Sequence, residues 1–229
     1  ANDFSGYSVS AAGDVNGDGL DDVIIGVDGA DPNATNSGSS YVVFGTTSTS
    51  AIELSTLEAE EGGGFVINGV DASDYSGKSV SAAGDVNGDG LDDVIIGAYQ
   101  ADPNGIFSSG SSYVVFGTES TSAIELSTIE AEGGGGFVIN GAEANDLSGY
   151  SVSGAGDVNG DGLDDVIIGA YGADPNSSSG SGSSYVVFGT TSTSAIELST
   201  LEAGEGGGFV INGVDSNDFS GYSLSLIHI

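Results

Sequence analysis

A short stretch rich in Asp, Asn and Gly occurs three times in the chain and places side-chain oxygens at regular intervals. In the first copy, Asp14, Asn16, Asp18 and Asp22 stand at positions 1, 3, 5 and 9, and Gly19 stands at position 6. Calcium prefers such hard oxygen ligands, and glycine permits the sharp turn that directs them inward. Oxygen donors without Cys or His argue against zinc and copper. We therefore predict a calcium-binding loop.

The three loops together define the predicted metal site. Each loop is expected to add one backbone carbonyl, from the leucine at position 7, to its four side-chain ligands. Magnesium is an alternative that needs stricter octahedral geometry. The acid at position 8, Asp21 in the first copy, is interpreted as solvated. The predicted Ca²⁺ ligands are Asp14, Asn16, Asp18, Leu20, Asp22, Asp85, Asn87, Asp89, Leu91, Asp93, Asp157, Asn159, Asp161, Leu163 and Asp165.

Two other structures have a similar composition. An EF-hand needs a bidentate Glu at position 12 and lies between helices, whereas this loop has Ile25 at that position and strand-like flanks. A plain hairpin turn of Asp, Asn and Gly needs only about two to five residues and no cluster of carboxylates. Because every ligand position is filled in all three copies, we interpret the stretch as a calcium loop at the tip of a β-hairpin.

The charge balance of the chain is consistent with cation binding. There are 34 Asp and Glu residues against one basic residue, Lys78, and the net charge is −33 at pH 7. Nucleic acids and anionic membranes need Lys and Arg, so neither is expected as a partner. No apolar run is long enough for membrane insertion. Adaptation to salty water is a second explanation of this charge, since salt screens the repulsion.

The loop motif also reveals an internal repeat. It begins at residues 14, 85 and 157, a period of 71 and then 72 residues. Such a period is typical of repeat architectures. Apolar, β-branched segments bounded by Gly, Asn, Asp or Ser predict four strands in each repeat. In the first repeat these lie near Tyr7–Ala12, Asp22–Gly26, Ser40–Gly45 and Gly64–Asn68.

A helical turn is predicted between the third and fourth strands of each repeat. Ser55–Glu58 matches the capping-box pattern, in which a Ser caps the helix and a Glu follows three residues later. Ser127–Glu130 and Ser199–Glu202 match it in the later repeats. We expect this turn to have a structural role.

Four strands at a fixed period predict an all-β chain of β-propeller blades, each with four antiparallel strands. Propellers have about four to eight blades, so three complete blades and the start of a fourth predict an open fragment of a larger propeller. The predicted divisions are 1–72, 73–144, 145–216 and 217–229. Near-identity between repeats stops within the last of these, and we interpret residues 224–229 as an artefactual tail.

Several marks resemble the FG-GAP repeats known from integrin α subunits. They are residues 4–7 (Phe-Ser-Gly-Tyr), the loop Asp14–Asp22, the pair Ile25-Gly26 and the segment Tyr41–Gly45. The resemblance implies a propeller with calcium on one face, an extracellular setting, and adhesion or ligand binding. Lys78 departs from the Tyr found at the same position in the other repeats. The near-identity of the repeats favours a secreted, prokaryotic-type repeat protein.

The function expected from the sequence is therefore a non-catalytic one. With no Cys or Arg and a single Lys and His, common catalytic triads and zinc sites are excluded. The acids recur in every repeat at calcium spacing, which leaves no asymmetric carboxylate pair for glycoside hydrolysis. We predict an extracellular or cell-surface calcium-binding scaffold for adhesion, with a protein or carbohydrate ligand on the propeller surface. The alternative is an accessory propeller of a secreted enzyme whose catalytic domain lies elsewhere.

Overall fold

A computed structural model describes residues 4–225 and contains one antiparallel sheet for each repeat. The first sheet contains β1 (Ser8–Gly13), β2 (Asp22–Val27), β3 (Ser39–Val43) and β4 (Gly64–Asn68). These strands pair in chain order, each antiparallel to the next. This confirms the predicted all-β class and places the four strands within two residues of their predicted bounds.

The second and third repeats have the same order. The second contains β5 (Ser79–Gly84), β6 (Asp93–Ala98), β7 (Ser111–Val115), β8 (Ile124–Glu125) and β9 (Gly136–Asn140). The third contains β10 (Ser151–Gly156), β11 (Asp165–Ala170), β12 (Ser183–Val187), β13 (Ile196–Glu197) and β14 (Gly208–Asn212). We call the sheets blades 1, 2 and 3. They are open propeller blades, and residues 217–225 begin the fourth repeat.

Strands β8 and β13 were not predicted, and they add to the four antiparallel strands expected in each blade. β8 belongs to the second repeat but pairs in parallel with β4 of blade 1, so that Ile67 faces Ile124 and Asn68 faces Glu125. β13 of the third repeat pairs with β9 of blade 2 in the same way. Blades 1 and 2 thus each gain a fifth strand from the next repeat. A strand of two residues has no periodic pattern that a sequence could reveal.

The predicted helical turns are present as α1 (Leu54–Glu58), α2 (Leu126–Glu130) and α3 (Leu198–Glu202). The predicted capping box is wrong, because the N-cap of α1 is Glu53 and no side chain caps it. The helix follows directly on an extended Ile-Glu segment and begins two residues earlier than a Ser55 cap would require. Glu58 is not used for capping; its carboxylate accepts a hydrogen bond from the Tyr41 hydroxyl at 2.5 Å.

The hydrophobic core lies between blades. One cluster joins side chains of blades 1 and 2, among them Phe65 and Val94, and a second joins blades 2 and 3, among them Phe137 and Tyr185. The strands of blade 2 are therefore covered on both faces, which explains their consecutive apolar residues. Blade contact is close: a Cβ on Gly26 would lie 2.1 Å from the carbonyl oxygen of Gly77.

The inner strands β1, β5 and β10 lie side by side. The backbone N–H of Val80 in β5 donates to Ser8 Oγ in β1 at 3.1 Å, and the N–H of Val152 in β10 donates to Ser79 Oγ in β5 at 3.0 Å. Two short 3-10 helices occupy Pro103–Gly105 and Pro175–Ser177. Among residues 4–225, no helix is long and apolar enough to cross a membrane. The proposed tail at 224–229 lies mostly outside the described residues.

Candidate metal centre

Each acidic loop joins the first and second strands of its blade, as predicted. The loops connect β1 to β2, β5 to β6, and β10 to β11. The pairing of β1 with β2 shifts register between Ala11 and Gly13, so the strand ends in an irregularity just before the loop. The turn uses glycines at positive φ, 75° at Gly17 and 88° at Gly19. Because L side chains rarely adopt such φ values, these glycines permit the tight turn.

Hydrogen bonds within the loop gather the acids over the loop's own amides. The Asp14 carboxylate accepts from the backbone N–H of Asp18 at 3.0 Å and of Gly19 at 2.9 Å. The Asp18 carboxylate accepts from Leu20 N–H at 2.9 Å, and Asn16 Oδ1 accepts from Asp18 N–H at 2.9 Å. The second and third loops repeat this pattern.

The acid at position 9 is buried, unlike those at positions 1 and 5. The Asp22 carboxylate accepts from Val15 N–H at 2.9 Å and from Gly45 N–H at 2.7 Å, and so ties the loop to the end of β3. Asp93 has the same two contacts in blade 2. Burial raises the pKa of Asp93 to about 7; its two backbone hydrogen bonds lower it, and the charges of Asp89 and Asp85 raise it further.

The donor set fits calcium by its chemistry. Each loop offers two half-buried or exposed carboxylates, an amide oxygen, a backbone carbonyl and one buried carboxylate. A carboxylate has about four lone-pair sites, so its hydrogen bonds to amides leave acceptor capacity for a cation. Within residues 4–225, no three acidic or His side chains converge as a group that could hold a metal by themselves. The ligand set therefore stays a prediction that depends on the amide and carbonyl oxygens as well.

Position 8 differs between the loops. Asp21 is exposed, in line with the prediction that it is solvated. Extended to the other loops, that prediction is wrong. Asp92 Oδ2 accepts from Asp14 N–H of the preceding loop at 2.8 Å, and Asp164 Oδ2 accepts from Asp85 N–H at 3.0 Å. The sequence did not reveal this role because the partners are more than seventy residues apart.

Neighbouring loops also touch through their leucines. A Cβ on Gly17 would lie 2.9 Å from Leu91 Cδ2, and a Cβ on Gly88 would lie 2.9 Å from Leu163 Cδ2. Leu20, in the first loop, is 40% exposed. Leu91 and Leu163 thus pack their side chains on the preceding loop, in addition to the predicted role of their carbonyls. The three loops form a continuous row.

A second feature is a group of aromatic side chains around Lys78. Its Nζ lies 3.8 Å from the centroid of the Tyr7 ring and 3.6 Å from Asp28 Oδ2. The Tyr99 and Tyr150 ring centroids are each 5.8 Å from Nζ. Sequence comparison identified Lys78 only as a departure from Tyr. A cation over aromatic faces is attracted by their quadrupoles, which explains why Lys is accommodated here.

This aromatic cluster continues toward the fourth repeat. The Tyr150 ring lies 4.6 Å from that of Tyr171 and 5.0 Å from that of Tyr222, measured between centroids. Tyr7 and Tyr150 precede β1 and β10, whereas the acidic loops follow these strands. Because the inner strands run side by side in one direction, the aromatic cluster and the acidic loops lie at opposite ends of them.

Glutamates of the added strands β8 and β13 hold adjacent blades together. Glu125 accepts from the side-chain amides of Asn33 and Asn68, each at 2.8 Å. Glu197 accepts from those of Asn104 at 3.2 Å and Asn140 at 2.8 Å. The Asn33 amide also donates to the carbonyl of Gly69 at 2.9 Å. Asn33 begins an Asn-Ala-Thr sequence that matches a glycosylation pattern, and the structure gives its side chain a contact between blades.

An acidic cavity lies beside each of these contacts. One of ≈ 340 Å³ is lined by Asp74, Asp102, Glu130 and other polar residues. Burial raises the pKa of Asp74 to about 6. In the equivalent cavity of blade 3, burial raises the pKa of Asp146 to about 7; its hydrogen bond from Glu143 N–H lowers it, and neighbouring acids raise it.

Known proteins match the chain along most of its length. Residues 5–43, 76–115 and 148–187 each match the FG-GAP repeat. Each match ends with the third strand of its blade and so contains the acidic loop. The chain is 35% identical over 180 residues to integrin alpha pat-2 of Caenorhabditis elegans, a match that covers 73% of this chain and 13% of that protein.

Two further integrins show similar likeness. Integrin alpha-PS2 of Drosophila melanogaster is 29% identical over 178 residues, which is 75% of this chain and 12% of that protein. Integrin alpha-IIb of Mus musculus is 28% identical over 178 residues, which is 74% of this chain and 15% of that protein. The chain therefore spans a small part of the length of these relatives.

Proposed function

Because this chain belongs to the FG-GAP repeat family, we propose that it is a non-catalytic, extracellular scaffold for adhesion or ligand binding whose acidic loops bind calcium. The observation that carries the proposal is the row of three acidic loops at one end of the inner strands. The loops share one donor set and one pattern of internal hydrogen bonds, and they touch each other. A repeated set of hard oxygen donors is what calcium prefers.

Electrostatics gives calcium a structural role in this proposal. Two carboxylates about 4 Å apart repel each other by roughly 4 kcal/mol at an effective dielectric constant near 20. Repulsion among the acids of each loop therefore destabilises the empty fold, and a bound dication reverses the sign of that contribution. Because the ion binds the folded state, its binding free energy stabilises folding.

The extracellular setting follows from the expected affinity. Loops of this kind in extracellular modules bind calcium with dissociation constants on the order of 10⁻⁴–10⁻³ M. Such sites fill in calcium-rich extracellular fluid and stay empty in the cytosol. The similarity to integrin α chains supports the same setting, and it supports binding of a protein partner on the propeller surface.

The aromatic cluster is the part of the described surface that best supports ligand binding. Tyr7 and Tyr222 are more than half exposed, and Phe4 and Phe219 lie near them in the chain. Large exposed aromatic side chains are enriched where proteins bind partners. The loops at the opposite end of the inner strands would then stabilise the blades that carry this surface.

Thermal unfolding with and without calcium tests the proposal. We expect calcium at about ten times its dissociation constant to stabilise each site by about 1.4 kcal/mol relative to a chelator. Three filled sites would then raise Tm by on the order of 10 °C. Calorimetric titration should give one ion per loop, and magnesium at the same concentration should have a smaller effect.

Two matched triple variants distinguish the loss of a calcium ligand from the loss of negative charge in general. Asp18→Asn, Asp89→Asn and Asp161→Asn together remove one carboxylate from each loop and should abolish the response to calcium. Glu119→Gln, Glu132→Gln and Glu205→Gln remove the same charge from exposed positions outside the loops and should leave the response intact. An unchanged Tm in calcium and chelator for the natural sequence would overturn the calcium proposal.

A further inference from the structure

Position 8 of the acidic loops makes a contact that the calcium proposal does not require. Asp92 exchanges two hydrogen bonds with Asp14 of the preceding loop. Its Oδ2 accepts from Asp14 N–H at 2.8 Å, and its own N–H donates to the Asp14 carbonyl at 3.2 Å. Asp164 and Asp85 form the same pair, at 3.0 and 3.1 Å. The backbone of the first predicted ligand is thus held by the next blade.

The space around this contact is tightly filled. A Cβ on Gly13 would lie 2.2 Å from Asp92 Oδ2, and one on Gly84 would lie 2.1 Å from Asp164 Oδ2. Both glycines have φ of 76°. Only glycine fits here, since any side chain would displace the carboxylate. In the first and second loops, the position of the residue that begins the loop therefore depends on the aspartate of the next blade.

We infer that Asp92 and Asp164 are positioning residues for the loop of the preceding blade, so that neighbouring loops bind calcium as a coupled row. The inference rests on the calcium proposal. Asp92 directly precedes Asp93, the buried acid that ties its own loop to blade 2. Ordering the second loop fixes Asp92, Asp92 fixes the Asp14 backbone, and the first loop then loses less conformational freedom when it binds.

The coupling has a direction along the chain and is reciprocal in free energy. The third loop orders the second through Asp164, and the second orders the first through Asp92. By linkage, calcium in the first loop strengthens binding in the second by the same factor. The molecule also contains its own control. Asp21 occupies position 8 but is exposed, and within residues 4–225 its side chain makes no such contact with another loop.

The test is a titration with CaCl₂ followed by NMR at the amides of Gly19, Gly90 and Gly162, which report on the three loops separately. Asp92→Ala should weaken calcium binding in the first loop by about tenfold, a typical coupling between sites. Because the coupling is reciprocal, binding in the second loop should weaken by a similar factor, and binding in the third loop should change less. Asp92→Asn keeps an acceptor oxygen and should restore most of the affinity.

Asp21→Ala removes the same charge from the same loop position and should change binding in its own loop by less than about threefold, as expected for a screened surface charge. The inference is overturned if Asp92→Ala weakens calcium binding in the second loop, which contains residue 92, and leaves binding in the first loop unchanged. It is also overturned if Asp21→Ala matches the effect of Asp92→Ala on the first loop. Either result would mean that charge alone, without positioning, sets the affinity.

Hydrogen exchange in chelator separates failure of this inference from failure of the calcium proposal. Without calcium, Asp92→Ala should speed exchange of the Asp14 amide, and the Asp85 amide, which donates to Asp164, should serve as the internal reference. An unchanged exchange rate of the Asp14 amide would contradict the positioning role of Asp92 even if calcium binds. If the natural sequence shows no response to CaCl₂, the calcium proposal and the coupling fail together, whatever the exchange result.

Discussion

Blades 1 and 2 share the segment Asp-Val-Ile-Ile-Gly but bury it to different extents. Val94 of β6 is fully buried, whereas Val23 at the same position of β2 is 44% exposed. Every residue of β6 is buried, because blade 2 has a neighbour on each side. In stacked sheets the burial of a residue therefore depends on the neighbouring blade. Identical residues in different blades can then contribute different amounts to stability.

The same contrast separates blade 2 from blade 3. Phe137 is completely buried in the core between blades 2 and 3, whereas Phe209, its counterpart in β14, is 39% exposed. Among the described residues β14 pairs only with β12, so it lacks the added strand that covers β4 and β9.

The largest expected effect is in the core. Phe137→Ala should lower the free energy of unfolding by about 3–5 kcal/mol, the cost of removing a buried aromatic side chain and leaving a cavity. Phe209→Ala should cost less than half as much, because part of that ring already contacts water. Urea denaturation of both variants measures the difference. Equal losses would show that burial in the middle blade does not decide stability.

The contact between blades predicts a smaller effect. Glu125→Ala should destabilise the protein by about 1–3 kcal/mol, because two Asn amides lose a charged acceptor. Glu53→Ala is the matched control, since Glu53 stands at the same repeat position but is exposed. That change should stay within about 0.5 kcal/mol. Comparable losses in the two variants would refute a specific role for the pairing of β8 with β4.

The smallest effect concerns pH and the cavity acid Asp146. Its folded pKa of about 7 exceeds the ordinary value of 3.8, so between these values the folded state binds more protons than the unfolded state. Its contribution to stability is therefore complete below about pH 4 and is lost as the pH rises through about 7. Asp146→Asn should remove this dependence, and unfolding curves at several pH values measure it.

Asp218→Asn is the control for this pH dependence, because Asp218 holds the same position in the fourth repeat but is exposed. The curve of free energy against pH should change shape for Asp146→Asn and keep its shape for Asp218→Asn. Subtracting each curve from that of the natural sequence removes the general effect of the chain's large negative charge. If the pH dependence of stability persists in Asp146→Asn, groups other than Asp146 cause it.

Local patterns were sufficient to predict the four antiparallel strands of each blade, the helical turns and the acidic loops, but not the two-residue strands β8 and β13. The β-branched residues of Val23–Ile25 predict a strand, and Gly19 predicts a turn because it has no side chain. Both signals arise within a few residues of chain. The predicted capping role of Glu58 is wrong, because a capping box and a hydrogen bond to Tyr41 require the same residue type at the same position.

By itself, the sequence determined the repeat, the strand order within each blade, the family and the candidate ligands. Only the tertiary structure decided that Asp92 holds Asp14, that Glu125 joins two blades, and that Lys78 lies among tyrosines. Each of these contacts joins residues more than fifty positions apart. The physical reason is that local conformation depends on neighbouring residues in the chain, whereas contacts between blades depend on how one sheet stacks on the next.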